Sequence, residues 1–215
     1  MPWDDNLTKD SAAYKLASCN DSVIRSLAGP GSGKSFGIKK RITRLLEEGT
    51  DPETILAITF TRTSAADLKK EISSINVTGA DKVIARTVHA HAMAILGKQE
   101  VKDYTKRNPR MIIDHEIEPA IRDIDFPDGS GVKERWALLQ SYLAAWATLQ
   151  SENPAIPRDE VEIEFEQRIV DWLTEHNGVM VGEVIHLALR YLIENPASTE
   201  IGKFSHLLVD EYQDL

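Results

Sequence analysis

The stretch LAGPGSGKSF, residues 27–36, sets three glycines, a proline and a lysine between an apolar run and an amphipathic one. Before it, SVIRSLAG (22–29) is a short apolar, β-branched run ending in glycine, which predicts a strand. After it, Ile38, Ile42, Leu45 and Leu46 recur at helical spacing. A strand, a pliable turn and a helix in that order open a βαβ unit, whose crossover is right-handed and whose strands pair in parallel. The pattern continues. TILAITF (54–60) predicts a fully buried strand, and Ser64 with Asp67 three places on approximates a capping box opening a helix over AADLKKEISSI (65–75). DKVIARTVHA (81–90) predicts a third strand. The expected fold class is α/β, with a parallel sheet flanked by helices.

From about residue 97 to 177 the texture changes to long polar helices without a buried-strand signal. DFPDGSG (125–131) and SENPAIP (151–157) interrupt them with turn chemistry. Trp136, Leu139, Leu143 and Trp146 follow at spacings of three and four, the stripe of a helix packing inward. EVIHLALRYLIENP (183–196) predicts another amphipathic helix, stopped at Asn195-Pro196. HLLVDE (206–211) then returns to a buried strand that runs into acids.

No apolar run reaches the roughly 18 residues of a membrane span, and MPWDDNLTKD lacks the basic-then-apolar plan of a secretory signal, so a cytoplasmic location without a membrane partner is expected. The single cysteine, Cys19, excludes an internal disulfide. The net charge of −9 is unevenly spread. Residues 34–110 carry 15 Lys and Arg against 9 Asp and Glu, whereas residues 111–215 carry 7 against 21. A surface that attracts phosphates and an ordinary solvated surface both fit the basic stretch.

The glycine-rich turn can now be given a chemistry. At a helix N-terminus the first N–H groups lack partners and the helix dipole favours an anion. Glycines let that backbone curl around phosphate oxygens. Lys34 would reach the β- and γ-phosphates, and the Ser35 hydroxyl would hold Mg²⁺. Ala28 stands at the first glycine of the G-x-x-x-x-G-K-[ST] pattern. The acids after LLV complete the set: Asp210 would hold Mg²⁺ directly or through water, and Glu211 would orient and deprotonate the attacking water. His89 and His91 would share a face on a strand, but no further ligand adjoins them, so no zinc site is expected.

Four segments in order, AGPGSGKS, TFTRTSAADLKKEI, RTVHAHAMAIL and LLVDEYQDL, resemble motifs I, Ia, Ib and II of the UvrD/Rep family of superfamily 1 DNA helicases. The resemblance implies a RecA-like P-loop NTPase domain, the family's motor domain 1A, over 1–96 and 178–215, with 97–177 as the inserted helical subdomain 1B. It also implies ATP-driven 3′ to 5′ translocation on single-stranded DNA. It places Ala28, Gly29, Pro30, Gly31, Ser32, Gly33, Lys34, Ser35 and Arg41 at the nucleotide, Ser35 and Asp210 at the metal, Glu211 as base and Gln213 as γ-phosphate sensor. Thr59, Thr61 and Arg62 fall where motif Ia touches the DNA backbone, and Thr87, His89 and His91 fall in the Ib position. Arg62 and Arg86 are equally compatible with ordinary surface charges.

Some positions depart from the family pattern. Ser11 replaces the adenine-reading glutamine, Phe36 follows the loop serine where arginine is frequent, and His91 replaces an aromatic stacking platform. Motifs III to VI and the second RecA-like domain, a partner the motor needs, do not occur in these 215 residues. An arginine supplied across the cleft is worth about a thousandfold to a hundred-thousandfold in rate, so this stretch alone is expected to bind nucleotide and hydrolyse it poorly. Two other classes also fit the residues: a different P-loop ATPase of DNA metabolism, and a non-catalytic nucleotide- or DNA-binding remnant.

Overall fold

The computed structural model describes residues 2–27, 29, 33–124, 131–150 and 159–212. In chain order the first elements are α1 (Ala12–Ser18), α2 (Lys34–Glu47), β1 (Ile55–Thr59), α3 (Arg62–Ser73), β2 (Ile84–Thr87), α4 (Val88–Leu96) and α5 (Gln99–Thr105). They are followed by β3 (Arg110–Met111), α6 (Asp114–Asp123), α7 (Val132–Ala147), α8 (Glu160–Glu175), β4 (Gly178–Val179), α9 (Val181–Glu194) and β5 (His206–Val209). The chain divides into two compact units, Met1–Val88 with Ile201–Leu215, and His89–Glu200. Among the described residues no helix is long and apolar enough to cross a membrane.

The first unit is built on a parallel sheet in the order β2-β1-β5. All five residues of central β1 are buried, which explains why TILAITF is apolar without alternation. Leu56 pairs with Ile84 on one side and with Leu207 on the other. Ile38, Ile42, Leu45 and Leu46 of α2 and Leu68 and Ile72 of α3 pack into one cluster with Ile55, Ala57 and Leu208. The helical spacing read from the sequence is therefore the face that covers the sheet.

Two local expectations are corrected. The described residues of 22–29 form no strand, and Val23 and Leu27 are 86% and 84% exposed. An apolar β-branched run states a capacity to pair, but a strand exists only where a neighbouring backbone supplies the ladder. The third strand is also shorter than expected: β2 ends at Thr87 and the chain turns straight into α4, so His89 and His91 lie on a helix. Two residues apart on a helix is about 200° around the axis, so the two imidazoles point to different sides. Among the described residues no three His, Cys, Asp or Glu cluster as metal ligands.

Helix α3 starts earlier than the expected capping box. Its N-cap is Thr61, whose Oγ1 accepts from the Ser64 backbone N–H at 3.0 Å. Thr61→Ala is expected to cost about 1 kcal/mol of stability in urea unfolding, the usual worth of such a cap. Ser64→Ala, which leaves that backbone bond in place, should cost less.

The second unit is helical, with two clusters. Phe165, Ile169 and Leu173 of α8 meet Leu139, Tyr142 and Trp146 of α7 and Ile121 of α6, while Trp136 and Leu143 pack partly buried against them. The inward stripe read from the sequence is present. The second cluster joins Ala92 and Leu96 of α4, Val101 of α5 and Val184, Ala188 and Tyr191 of α9. A two-residue parallel pairing of β3 and β4 (Arg110 with Gly178, Met111 with Val179) ties the unit together at positions that carry no strand signal in the sequence. Helices α7 and α9 approach closely at Gly182, where an added Cβ would lie 2.6 Å from the Leu143 carbonyl oxygen. The turn segments at 125–130 and 151–157 lie outside the described residues.

Candidate active site

The site is assembled within the first unit, at the carboxyl ends of β1 and β5 and the amino end of α2. Gly33 caps α2 with φ +84°, a left-handed conformation that a side chain would strain, and it offers no side-chain cap to the first helical N–H groups. Those donors and the positive end of the helix dipole are thus left at the turn, with Lys34 and Ser35 as the first two helical residues. On the other side, β5 is locked to β1 by the Asp210 N–H, which donates to the Ile58 carbonyl at 2.8 Å. That bond delivers Asp210 and Glu211 just beyond the strand end, where an open parallel sheet presents its site residues.

These two pieces, 177 residues apart in the chain, meet directly: Lys34 Nζ donates to Glu211 Oε1 at 2.7 Å and to Oε2 at 2.8 Å. Glu211 holds a left-handed backbone, φ 52°, and its own N–H donates to Asp210 Oδ1 at 3.1 Å. Both members of the Lys34–Glu211 pair are half-buried. A cation, two carboxylates and the amino end of a helix whose cap residue carries no side chain therefore share one corner of the sheet.

The remaining basic residues of α2 have other work. Lys39 Nζ donates to Ser74 Oγ and Lys40 Nζ to the Asp5 carbonyl. Arg41 donates to the Leu16 and Cys19 carbonyls at 3.1 and 2.7 Å, and Arg44 to the Ser18 carbonyl at 2.7 Å. The two guanidinium groups close the C-terminus of α1, where the dipole is negative and carbonyls lack partners. Arg41 is thus directed to α1; burial, with Arg44 beside it, holds its pKa below the usual value. Burial, followed by Arg41 and Arg44, likewise lowers His206. Ser11 also has a local duty, since its Oγ accepts from the Tyr14 N–H and caps α1.

Thr59 and Thr87 are register partners at the ends of β1 and β2. Thr59 is 1% exposed and its hydroxyl finds no hydrogen-bond partner among the described residues, so it lies beneath the surface that Thr61 and Arg62 present to solvent. Thr87 is buried as well. His89 and His91 belong to the second unit. Ala28, Pro30, Gly31, Ser32 and Gln213 lie outside the described residues, and Gly29 is exposed.

A family model, the UvrD/REP helicase N-terminal domain, matches residues 10–215. The chain belongs to that family. Among curated UvrD/REP-type relatives, it is 24% identical over 219 residues to the ATP-dependent DNA helicase PcrA of Staphylococcus aureus (strain COL), across 96% of this chain and 29% of that protein. It is 30% identical over 202 residues to the ATP-dependent DNA helicase Rep of Buchnera aphidicola subsp. Baizongia pistaciae (strain Bp), across 87% of this chain and 29% of that one. A shorter match, 39% over 77 residues, is to PcrA of Bacillus subtilis (strain 168). The chain thus spans less than a third of the length of the first two relatives. The parallel sheet flanked by helices is the RecA-like architecture expected of a UvrD/REP motor domain.

Proposed function

We propose that this chain is the ATP-binding part of an ATP-dependent DNA helicase that moves 3′ to 5′ on single-stranded DNA in the cytoplasm. Residues 1–96 and 178–215 act as motor domain 1A and 97–177 as the inserted subdomain 1B. The observation that carries the reading is the meeting of Lys34 with Glu211 beside Asp210 at the amino end of α2, in a UvrD/REP-family chain.

The donor set fits magnesium. Asp210 and Ser35 offer a carboxylate and a hydroxyl, both hard oxygen ligands, and no all-protein cage of three acids occurs among the described residues. Magnesium is commonly held by one or two such ligands together with nucleotide phosphates and water. Bound there, the ion would neutralise charge developing on the phosphates. Lys34 Nζ and the first N–H groups of α2 hold the β- and γ-phosphates. Glu211 orients a water in line with the γ-phosphorus and accepts its proton, with Gln213 sensing the γ-phosphate. Completing the charge stabilisation falls to a second RecA-like domain, so these 215 residues bind ATP and turn it over slowly.

Thr61 and Arg62, exposed at the start of α3, contact phosphate and sugar, with His89 and His91 adding contacts beyond β2. Such binding is independent of sequence and weakened by salt. Arg62→Ala is expected to weaken binding to all single-stranded sequences alike and to lower the salt slope by about one. The deciding assay is ATP hydrolysis by the full-length protein with and without single-stranded DNA. The reading requires the DNA to raise turnover and Glu211→Gln to remove it; turnover indifferent to DNA sinks the helicase assignment.

A further inference from the structure

The Lys34–Glu211 contact is more than proximity. Lys34 Nζ meets both carboxylate oxygens, at 2.7 and 2.8 Å, so the carboxylate presents to the lysine the paired oxygens that a phosphate would present. Glu211 reaches this position from a left-handed backbone, φ 52°, a conformation that non-glycine residues adopt at a cost. The same carboxylate cannot orient a water in line with a phosphate while it is committed to the lysine.

Resting on the nucleotide reading above, we propose that Glu211 is a built-in competitor of the nucleotide. Its carboxylate and a nucleotide phosphate are alternative acceptors for the same ammonium group of Lys34. An arriving phosphate takes the lysine and thereby frees the general base, so the base is available only when a phosphate is in place. No covalent bond is made or broken in this exchange. One anion replaces another at a single ammonium group, and hydrolysis by a half-filled site is suppressed. The return of Glu211 to Lys34 also assists departure of the product.

The test is equilibrium binding of ADP to the 215-residue chain in the presence of EDTA, so that neither metal ligation nor hydrolysis contributes. Wild type is compared with Glu211→Gln and Glu211→Asp. Both members of the pair are partly exposed, so its removal is worth a modest gain, and Glu211→Gln is expected to bind ADP about two- to fivefold more tightly. Glu211→Asp separates competition from simple charge repulsion. It keeps the negative charge but draws the carboxylate back by one methylene from the lysine, and tightening is expected here too. If wild type binds ADP and Glu211→Asp does not gain affinity, the competitor is overturned while the nucleotide site stands. If no form of the chain binds ADP, the nucleotide reading itself fails and takes the competitor with it.

Discussion

Lys34→Ala is expected to lower nucleotide affinity by roughly ten- to a hundredfold, because it deletes hydrogen bonds from a charged donor worth about 1.5–3 kcal/mol. The same change should scarcely affect folding. Lys34 begins α2, where alanine is well tolerated, and its partner Glu211 is partly exposed and can be solvated once released. An ion pair of that exposure is worth at most about 1 kcal/mol. Calorimetric titration with ADP reads the first quantity and urea unfolding the second. The proposed site predicts that they separate: a variant that folds like wild type yet has lost the nucleotide. Unaltered ADP affinity in a folded Lys34→Ala chain removes the lysine from the site.

How far that site could be read from the chain depends on which residues announce themselves. TILAITF did so because a central strand covered on both faces tolerates only apolar side chains. HLLVDE reads the same way but is only half covered, since Leu208 is buried while Leu207 is 63% exposed; the acid after it still sits at the strand's carboxyl end. That argument reaches Glu211, which follows β5, but not Lys34, because the described residues before its turn form no strand; their meeting is legible only through the resemblance of the two motifs. The segment 22–27 misled for the opposite reason: its composition reports hydrophobicity but not whether another backbone lies alongside, and Val23 and Leu27 stand in solvent. The start of α4 was hidden because VHAHAMAIL is apolar nearly all round, which blurs the 3.6-residue period and leaves β-branched and strand-like residues to dominate. Arg41 carries a charge that suits a phosphate, and nothing in its spacing from Lys34 reveals that it also donates to the Leu16 and Cys19 carbonyls. Burial of Thr59 was implicit in the run that contains it, since a strand apolar on both faces buries its last residue too.

The residue least legible in the sequence is Arg107, and it carries the second large prediction. TKRNPR (105–110) reads as a polar turn, but Arg107 is 4% exposed and Glu183, the third residue of α9, is equally buried. The guanidinium donates to Glu183 Oε1 at 2.8 Å, to the Gly178 and Val170 carbonyls at 3.2 Å each, and to Thr174 Oγ1 at 3.0 Å. It thus joins the turn after α5 to α8, β4 and α9. Burial pushes the Glu183 carboxyl above its ordinary range, while Arg107 draws it back down. Arg107→Met leaves that carboxylate in the interior without its cation, and breaking a buried pair in this way costs about 3–5 kcal/mol. Trp136, Trp146 and Trp172 all lie in the second unit and only Trp3 in the first, so tryptophan fluorescence during urea unfolding follows mainly the unit under test. The loss should depend on pH with a definite sign. Without Arg107 the folded pKa of Glu183 rises further above its unfolded value, so the folded variant binds a proton that the unfolded chain releases. Stability is then retained at pH values below the ordinary carboxylate range and lost as pH rises through the folded value. Arg107→Met should therefore approach wild-type stability in acid and fall away from it toward neutral pH. A deficit that stays constant from acid to neutral pH would mean that lost packing, and not the stranded charge, is what Arg107 prevents.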